Sequence, residues 1–135
     1  MILENESQDS LSDFIPFRGV NWGQVPDAPG AYVIYDGDEA IYVGMAGRDG
    51  KGSLRRRLRD HASGQIVNML AQYLFLDRVQ FLGDQRIRHP NEAKAACRAY
   101  LNDRCSFRFS VTSDGAQARE MERHLKANLK PALNS

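Results

Sequence analysis

Short apolar runs alternate with polar punctuation along the chain, and the spacing inside each run indicates its element. The apolar run before Asp36-Gly37-Asp38 and the one after Ala40 read as two β-strands about a tight turn, because an Asp-Gly step between β-rich runs is a strong hairpin signal. With a three-residue loop at 36–38, Tyr32 falls directly opposite Tyr42 and both rings project from one face; a slip of one residue separates them. Ser53 caps a helix that runs from Leu54 past His61. On its wheel Leu54 and Leu58 form the inward row, Arg57 and His61 share one flank, Arg55 and Arg59 share the other, and Arg56 and Asp60 face outward.

The pattern continues as helix over Gln65–Leu76, and Val79–Leu82 fits strand or turn equally. Asn91 caps a helix through about Asn102 that buries Ala93, Ala96, Cys97 and Tyr100. Phe107, Phe109 and Val111 alternate with polar residues as a half-buried strand. Asp114 caps a last helix, Gly115 to about Leu129, which Pro131 stops. Ala118, Met121, Leu125 and Leu129 make its apolar face; Glu122 borders that face and Glu120 points away.

Composition places these elements in one unit. A chain of 135 residues buries a core without disulfides or a structural metal. Residues 1–25 read as an acidic tail and an irregular extension, in which Phe14, Ile15, Phe17 and Trp22 pin themselves against residues 26–135 as apolar core residues. Lys plus Arg number 18 and Asp plus Glu 17, a net charge of +1, so any attraction to a polyanion comes from local clustering. Such a cluster exists: Arg48, Lys51, Arg55, Arg56, Arg57 and Arg59 follow the second tyrosine closely. Cys97 and Cys105 lack zinc-site spacing and read as buried thiols. No apolar run near membrane-spanning length and no basic-then-apolar leader is visible, which makes a cytoplasmic location the expectation.

Five elements stand in order: Gly30-Ala31-Tyr32, then Tyr42-Val43-Gly44, then Leu54-Arg55-Arg56-Arg57-Leu58, then Glu122, then Lys130-Pro131-Ala132-Leu133-Asn134. From about Pro29 to Asn134 the chain resembles the GIY-YIG nuclease family, most of all that domain in bacterial excision-repair nucleases. The resemblance implies an α+β domain with a small, about three-stranded mixed sheet flanked by helices. It also implies an endonuclease that hydrolyses DNA phosphodiesters to 5′-phosphate and 3′-hydroxyl ends with one Mg²⁺ or Mn²⁺. Carried over residue by residue, Tyr42 becomes the general base, Arg57 the phosphate-binding cation and Glu122 the metal ligand. Tyr32 would hold water or the scissile phosphate, His61 would assist positioning and Asn134 would support the site. Outside that carry-over, Arg48, Lys51, Arg55, Arg56 and Arg59 read from their charge as DNA phosphate contacts or as solvated surface. The chain departs from many relatives at Met45, where they carry lysine, and from the repair enzymes in a segment between Tyr42 and Arg57 about five residues longer.

The chemistry is consistent with those roles. Phosphodiester hydrolysis needs an activated water, relief of charge on the non-bridging oxygens and stabilisation of the departing oxygen. Two other readings use the same basic face: a nucleic-acid-binding module that does not cut, and an RNA-directed nuclease, since phosphate contacts carry no base or sugar identity. Target choice, whether in repair, restriction or a mobile element, is left to DNA shape, to residues 65–105, to a dimer or to a partner protein.

Overall fold

The computed structural model describes residues 10–63 and 90–133. Four strands form one sheet in these residues: β1 (Ile15–Pro16), β2 (Gly30–Asp36), β3 (Glu39–Ala46) and β4 (Cys105–Val111), in the order β1-β4-β2-β3. Three helices accompany them: α1 (Leu54–Ala62), α2 (Pro90–Arg104) and α3 (Gly115–Leu129). The architecture is α+β. Every pairing is antiparallel, which corrects the expected three-stranded mixed sheet. β4 leaves α2 without a linker and runs back along β2, pairing Cys105 with Asp36 and Val111 with Gly30. The fourth strand comes from the segment expected to be irregular, where Ile15 and Pro16 pair with Phe107 and Ser106.

Turn chemistry also corrects the hairpin register. Asp36 pairs with Glu39, so the turn is the two residues Gly37 and Asp38, with Gly37 in the left-handed region at φ 61°. Glycine first in a two-residue loop matches the twist of the flanking strands. Farther along, Tyr35 pairs with Ala40 but Ile34 pairs with Tyr42, leaving Ile41 as the extra residue of a β-bulge. Tyr32 therefore stands opposite Gly44 and Tyr42 opposite Ile34. The tyrosines are diagonal neighbours on one face rather than directly opposed.

The sheet separates two apolar layers. On one face Tyr32, Ile34, Ile41, Tyr42 and Phe107 pack with Leu54 and Leu58 of α1 and with Cys97, Tyr100 and Leu101 of α2. On the other, Ala31, Val33, Tyr35 and Val43 pack with Met121 and Leu125 of α3 and with Leu11. Alternation along β2 assigns these faces, and burial of each large aliphatic side chain contributes about 1.5–3 kcal/mol.

α1 begins where its first amides find acceptors. Leu54 N donates to Ala28 O at 2.9 Å, Arg55 N to Pro26 O at 3.2 Å and Arg56 N to the Ser53 side chain at 3.2 Å. These bonds satisfy donors that a helix start leaves open. α3 is capped as expected by Asp114, which accepts from Gln117 N at 2.8 Å, and it ends on Lys130 in a left-handed conformation. Among the described residues α2 covers Pro90–Arg104, so Asn91 lies inside the helix rather than capping it, and the helix runs past the expected end near Asn102. Tyr100 donates to Asp36 and Arg104 Nε lies 3.4 Å from the same carboxylate, tying α2 to the hairpin turn.

Two expectations about single residues change. Val111, at the end of β4, is exposed rather than inward, and Phe14 packs edge-on against Tyr35 while remaining half open to solvent. The expected helix at 65–76 and the segment 79–82 lie outside the described residues.

The closest approach in the sheet is at Gly30, where a Cβ would run into the Ser110 carbonyl and a methyl of Leu54. Backbone cannot yield there without parting β2 from β4. Gly30→Ala is expected to cost about 1–3 kcal/mol, the usual range for overpacking, seen as a lower urea midpoint with an unchanged slope.

Candidate active site

β2 and β3 deliver Tyr32 and Tyr42 to the sheet face under α1. Their rings stack with centroids 6.3 Å apart and planes 26° from parallel. α1 supplies the remainder of the cluster. Arg57 and His61, one turn apart, face the tyrosines, as the wheel predicts. The His61 ring stands edge-on to both, 5.5 Å from Tyr32 and 5.3 Å from Tyr42 by centroid. Tyr32 Oη lies 2.6 Å from His61 Nε2 in a buried hydrogen bond.

That bond requires Gly44. A Cβ on Gly44 would run into the Tyr32 hydroxyl and ring, so the glycine of Tyr42-Val43-Gly44 leaves the room through which Tyr32 crosses the edge strand. Tyr32 and His61 are almost wholly enclosed and Tyr42 is 5% exposed, while Arg57 is half-buried. Arg57 connects the enclosed cluster to solvent.

Burial holds the Tyr32 phenol well above the ordinary tyrosine range, with Tyr42 adding to the shift and Glu122 adding a smaller part. Arg57 opposes the shift through its charge and a hydrogen bond. For Arg57, burial disfavours the charged form, but attraction to Tyr32 and Tyr42 and hydrogen bonds to both outweigh it and hold the guanidinium above its usual value. Arg57 only donates, so the Tyr32 oxygen accepts from it, and the direction of the Tyr32–His61 bond follows the imidazole tautomer.

Glu122 comes from the opposite layer. It follows buried Met121 on α3, is half-buried, and is near enough for its charge to act on Tyr32. Glu120 is exposed and pairs with His124 across one turn at 3.8 Å. Among the described residues no three of His, Cys, Asp and Glu converge as a metal cage. Behind α3 the chain returns to β3: Ala132 N donates to Ala40 O at 3.2 Å and Leu133 N to Ile41 O at 2.8 Å. Asn134 lies outside the described residues.

The basic residues divide into two groups. Arg55, Arg56 and Arg59 line an open groove on the far flank of α1 from the tyrosines. Arg48 and Lys51 are exposed in the loop before α1, and the Gly47–Arg48 backbone abuts the start of α3 at Gly115. Met45 alternates with Gly44 and so projects to the α3 side of β3. Sequence reasoning did not find the place of Trp22 on that groove. A motif search would not flag it, but the 3₁₀ turn Trp22–Gln24, capped by Asn21, holds it there. Cys97 and Cys105 are buried thiols, and burial pushes Cys97 up to about 11.

No protein-family model matches the chain, and no curated protein sequence matches it.

The raised Tyr32 ionisation links stability to pH. Unfolding frees a phenol that ionises near 10.0, so this stabilisation is complete below that value. It is lost as pH rises, at up to about 1.4 kcal/mol per pH unit for one proton. Denaturant titrations between pH 9 and 11.5 are expected to show stability falling more steeply in the native protein than in Tyr32→Phe. Equal slopes would mean that Tyr32 ionises freely in the fold.

Proposed function

We propose that the protein is a metal-dependent endonuclease of the GIY-YIG kind acting on DNA phosphodiesters. The observation that carries this reading is the convergence of Tyr32, Tyr42, Arg57 and His61 on one sheet face, with Arg57 in reach of both hydroxyls and Glu122 acting on the same cluster. A packing core has little use for a guanidinium shared by two buried phenols, because burying charge is costly unless a partner repays it. A phosphodiester hydrolase needs a fixed cation beside a proton acceptor.

Tyrosine is a weak base at neutral pH unless positive charge adjoins it. Arg57 is that charge for Tyr42, which as the phenolate takes a proton from the attacking water while the guanidinium also meets a non-bridging phosphate oxygen. A planar, permanently charged fork suits that oxygen pair better than an ammonium would. Tyr32, enclosed and bonded to His61, acts in this proposal as a positioning residue: it holds the imidazole and, through Arg57, the phosphate-binding geometry. Glu122 is the carboxylate that would hold the cation. One carboxylate suits Mg²⁺, which retains much of its water and needs few protein ligands. When bound, such a cation stabilises the oxygen that departs.

Plasmid, linear duplex, branched DNA and RNA incubated with and without Mg²⁺ provide the test. Native protein is expected to cut DNA only with the metal, leaving ends that ligase rejoins directly. Tyr42→Phe, Arg57→Ala and Glu122→Ala are each expected to lower kcat/KM by about 10²-fold or more while keeping the native unfolding transition. A protein that binds these substrates and never cuts them with any divalent metal would overturn the reading in favour of a binding module.

A further inference from the structure

The far flank of α1 holds a second feature that the proposed chemistry does not use. An open groove of about 720 Å³ is lined by Trp22, Asp27, Arg55, Arg56, Arg59 and Asp60, three cations against two carboxylates. Its parts differ in what holds them. Arg55 is fixed, because its Nε donates to Val25 O at 2.8 Å. Trp22 is fixed as well: its inner face lies parallel to Phe107, 7° between planes and 6.0 Å between centroids, and it remains partly open on the groove side. Arg56 and Arg59 are exposed, one helical turn apart, so their charges are available along a line parallel to the helix axis.

An immobilised aromatic beside a row of arginines is the arrangement that binds single-stranded nucleic acid. The row tracks phosphates, and the ring takes an unpaired base, whose π-face is available only outside a duplex. The groove and the tyrosine cluster are opposite flanks of one helix, and an α-helix is about 10–12 Å across. A strand whose phosphate meets Arg57 could therefore cross the outward face of α1 at Arg56 and enter the groove within a few nucleotides.

We propose that this groove seats an unpaired segment of the substrate strand, with a base on Trp22 and phosphates on Arg56 and Arg59, so that the preferred substrate has a single-stranded region next to the cut. The proposal rests on the nuclease reading for the position of the cut, whereas binding in the groove is measurable without cleavage.

Trp22 is the one tryptophan of the chain, so its fluorescence reports the groove alone. Metal-free titration with 15-mers of dT, rU and a blunt duplex is expected to quench Trp22 with either single strand and to leave it nearly unchanged with the duplex. Comparing dT with rU shows whether the sugar is read. Arg56→Ala/Arg59→Ala is expected to weaken dT binding by about tenfold and to reduce the slope of log affinity against log salt by about 1.4, near 0.7 per lost phosphate contact. Both side chains are exposed, and a native unfolding midpoint confirms that the variant folds. Tyr42→Phe is expected to bind and quench like the native protein.

Bound dT that leaves Trp22 unquenched, a double variant with native affinity and slope, or a duplex that quenches as strongly would overturn the proposal. Metal-dependent cutting without quenching removes the groove and leaves the nuclease. Quenching without cutting on any substrate removes the nuclease and leaves the groove.

Discussion

The extra residue at Ile41 is the constraint on which the site depends. The two-residue turn pairs Asp36 with Glu39, and a ladder continued without interruption from that pair would set Tyr32 against Val43. Side chains alternate along a strand, so Tyr42 would then face α3, away from Tyr32 and α1. The bulge advances the register by one residue and returns both tyrosines to the same face. It lies on an edge strand, where bulges are common and where backbone groups lack a neighbouring strand. Ala132 and Leu133 supply one, donating to Ala40 and Ile41 at the bulge itself. The end of the chain thereby holds the register of a hairpin some ninety residues earlier.

Given that register, polar satisfaction determines the arrangement of the cluster. A buried phenol must bond, and Tyr32 does so by passing over Gly44 to His61. His61 can meet it because Leu54 and Leu58, both fully buried, set the rotation of α1. The same rotation brings Arg57 to the hydroxyls. Burial opposes ionisation of the phenol and also opposes the charge on Arg57, yet their mutual attraction makes the pair tolerable. A cluster built this way is held in place by the fold itself.

Local rules made much of this legible. Ser53 and Asp114 were readable as caps because capping is a contract between a side chain and an amide three residues on. Leu54, Leu58, Arg57 and His61 sorted correctly because helical periodicity is insensitive to what lies outside the helix. The same holds for Ala118, Met121 and Leu125 on α3, with Glu122 at the margin. Non-local features escaped. The bulge depends on bonds from Ala132 and Leu133, which no window around Ile41 contains. β1 is two residues whose pairing with β4 spans most of the chain, and its Pro16 argues against a strand anywhere but an edge. Antiparallel pairing of β4 followed from the direction in which α2 delivers it, and Val111 reached solvent because it ends the strand. Trp22 was legible as a packing aromatic, which it is through Phe107, but not as the wall of a groove.

Nine residues of α1 therefore carry three commitments at once. Leu54 and Leu58 anchor the helix in the core, Arg57 and His61 face the tyrosines, and Arg56 and Arg59 face solvent and the groove. At about 100° per residue these directions are set together, since rotating the helix to improve one flank degrades the other. Its start is held at Ala28, Pro26 and Ser53, and Arg55 holds Val25. The segment that precedes β2 thus fixes the rotation at which α1 carries the tyrosine cluster on one flank and the groove on the other. The irregular stretch around Trp22 and Val25 is in this sense part of the site's framework, positioned by backbone hydrogen bonds that composition alone does not reveal.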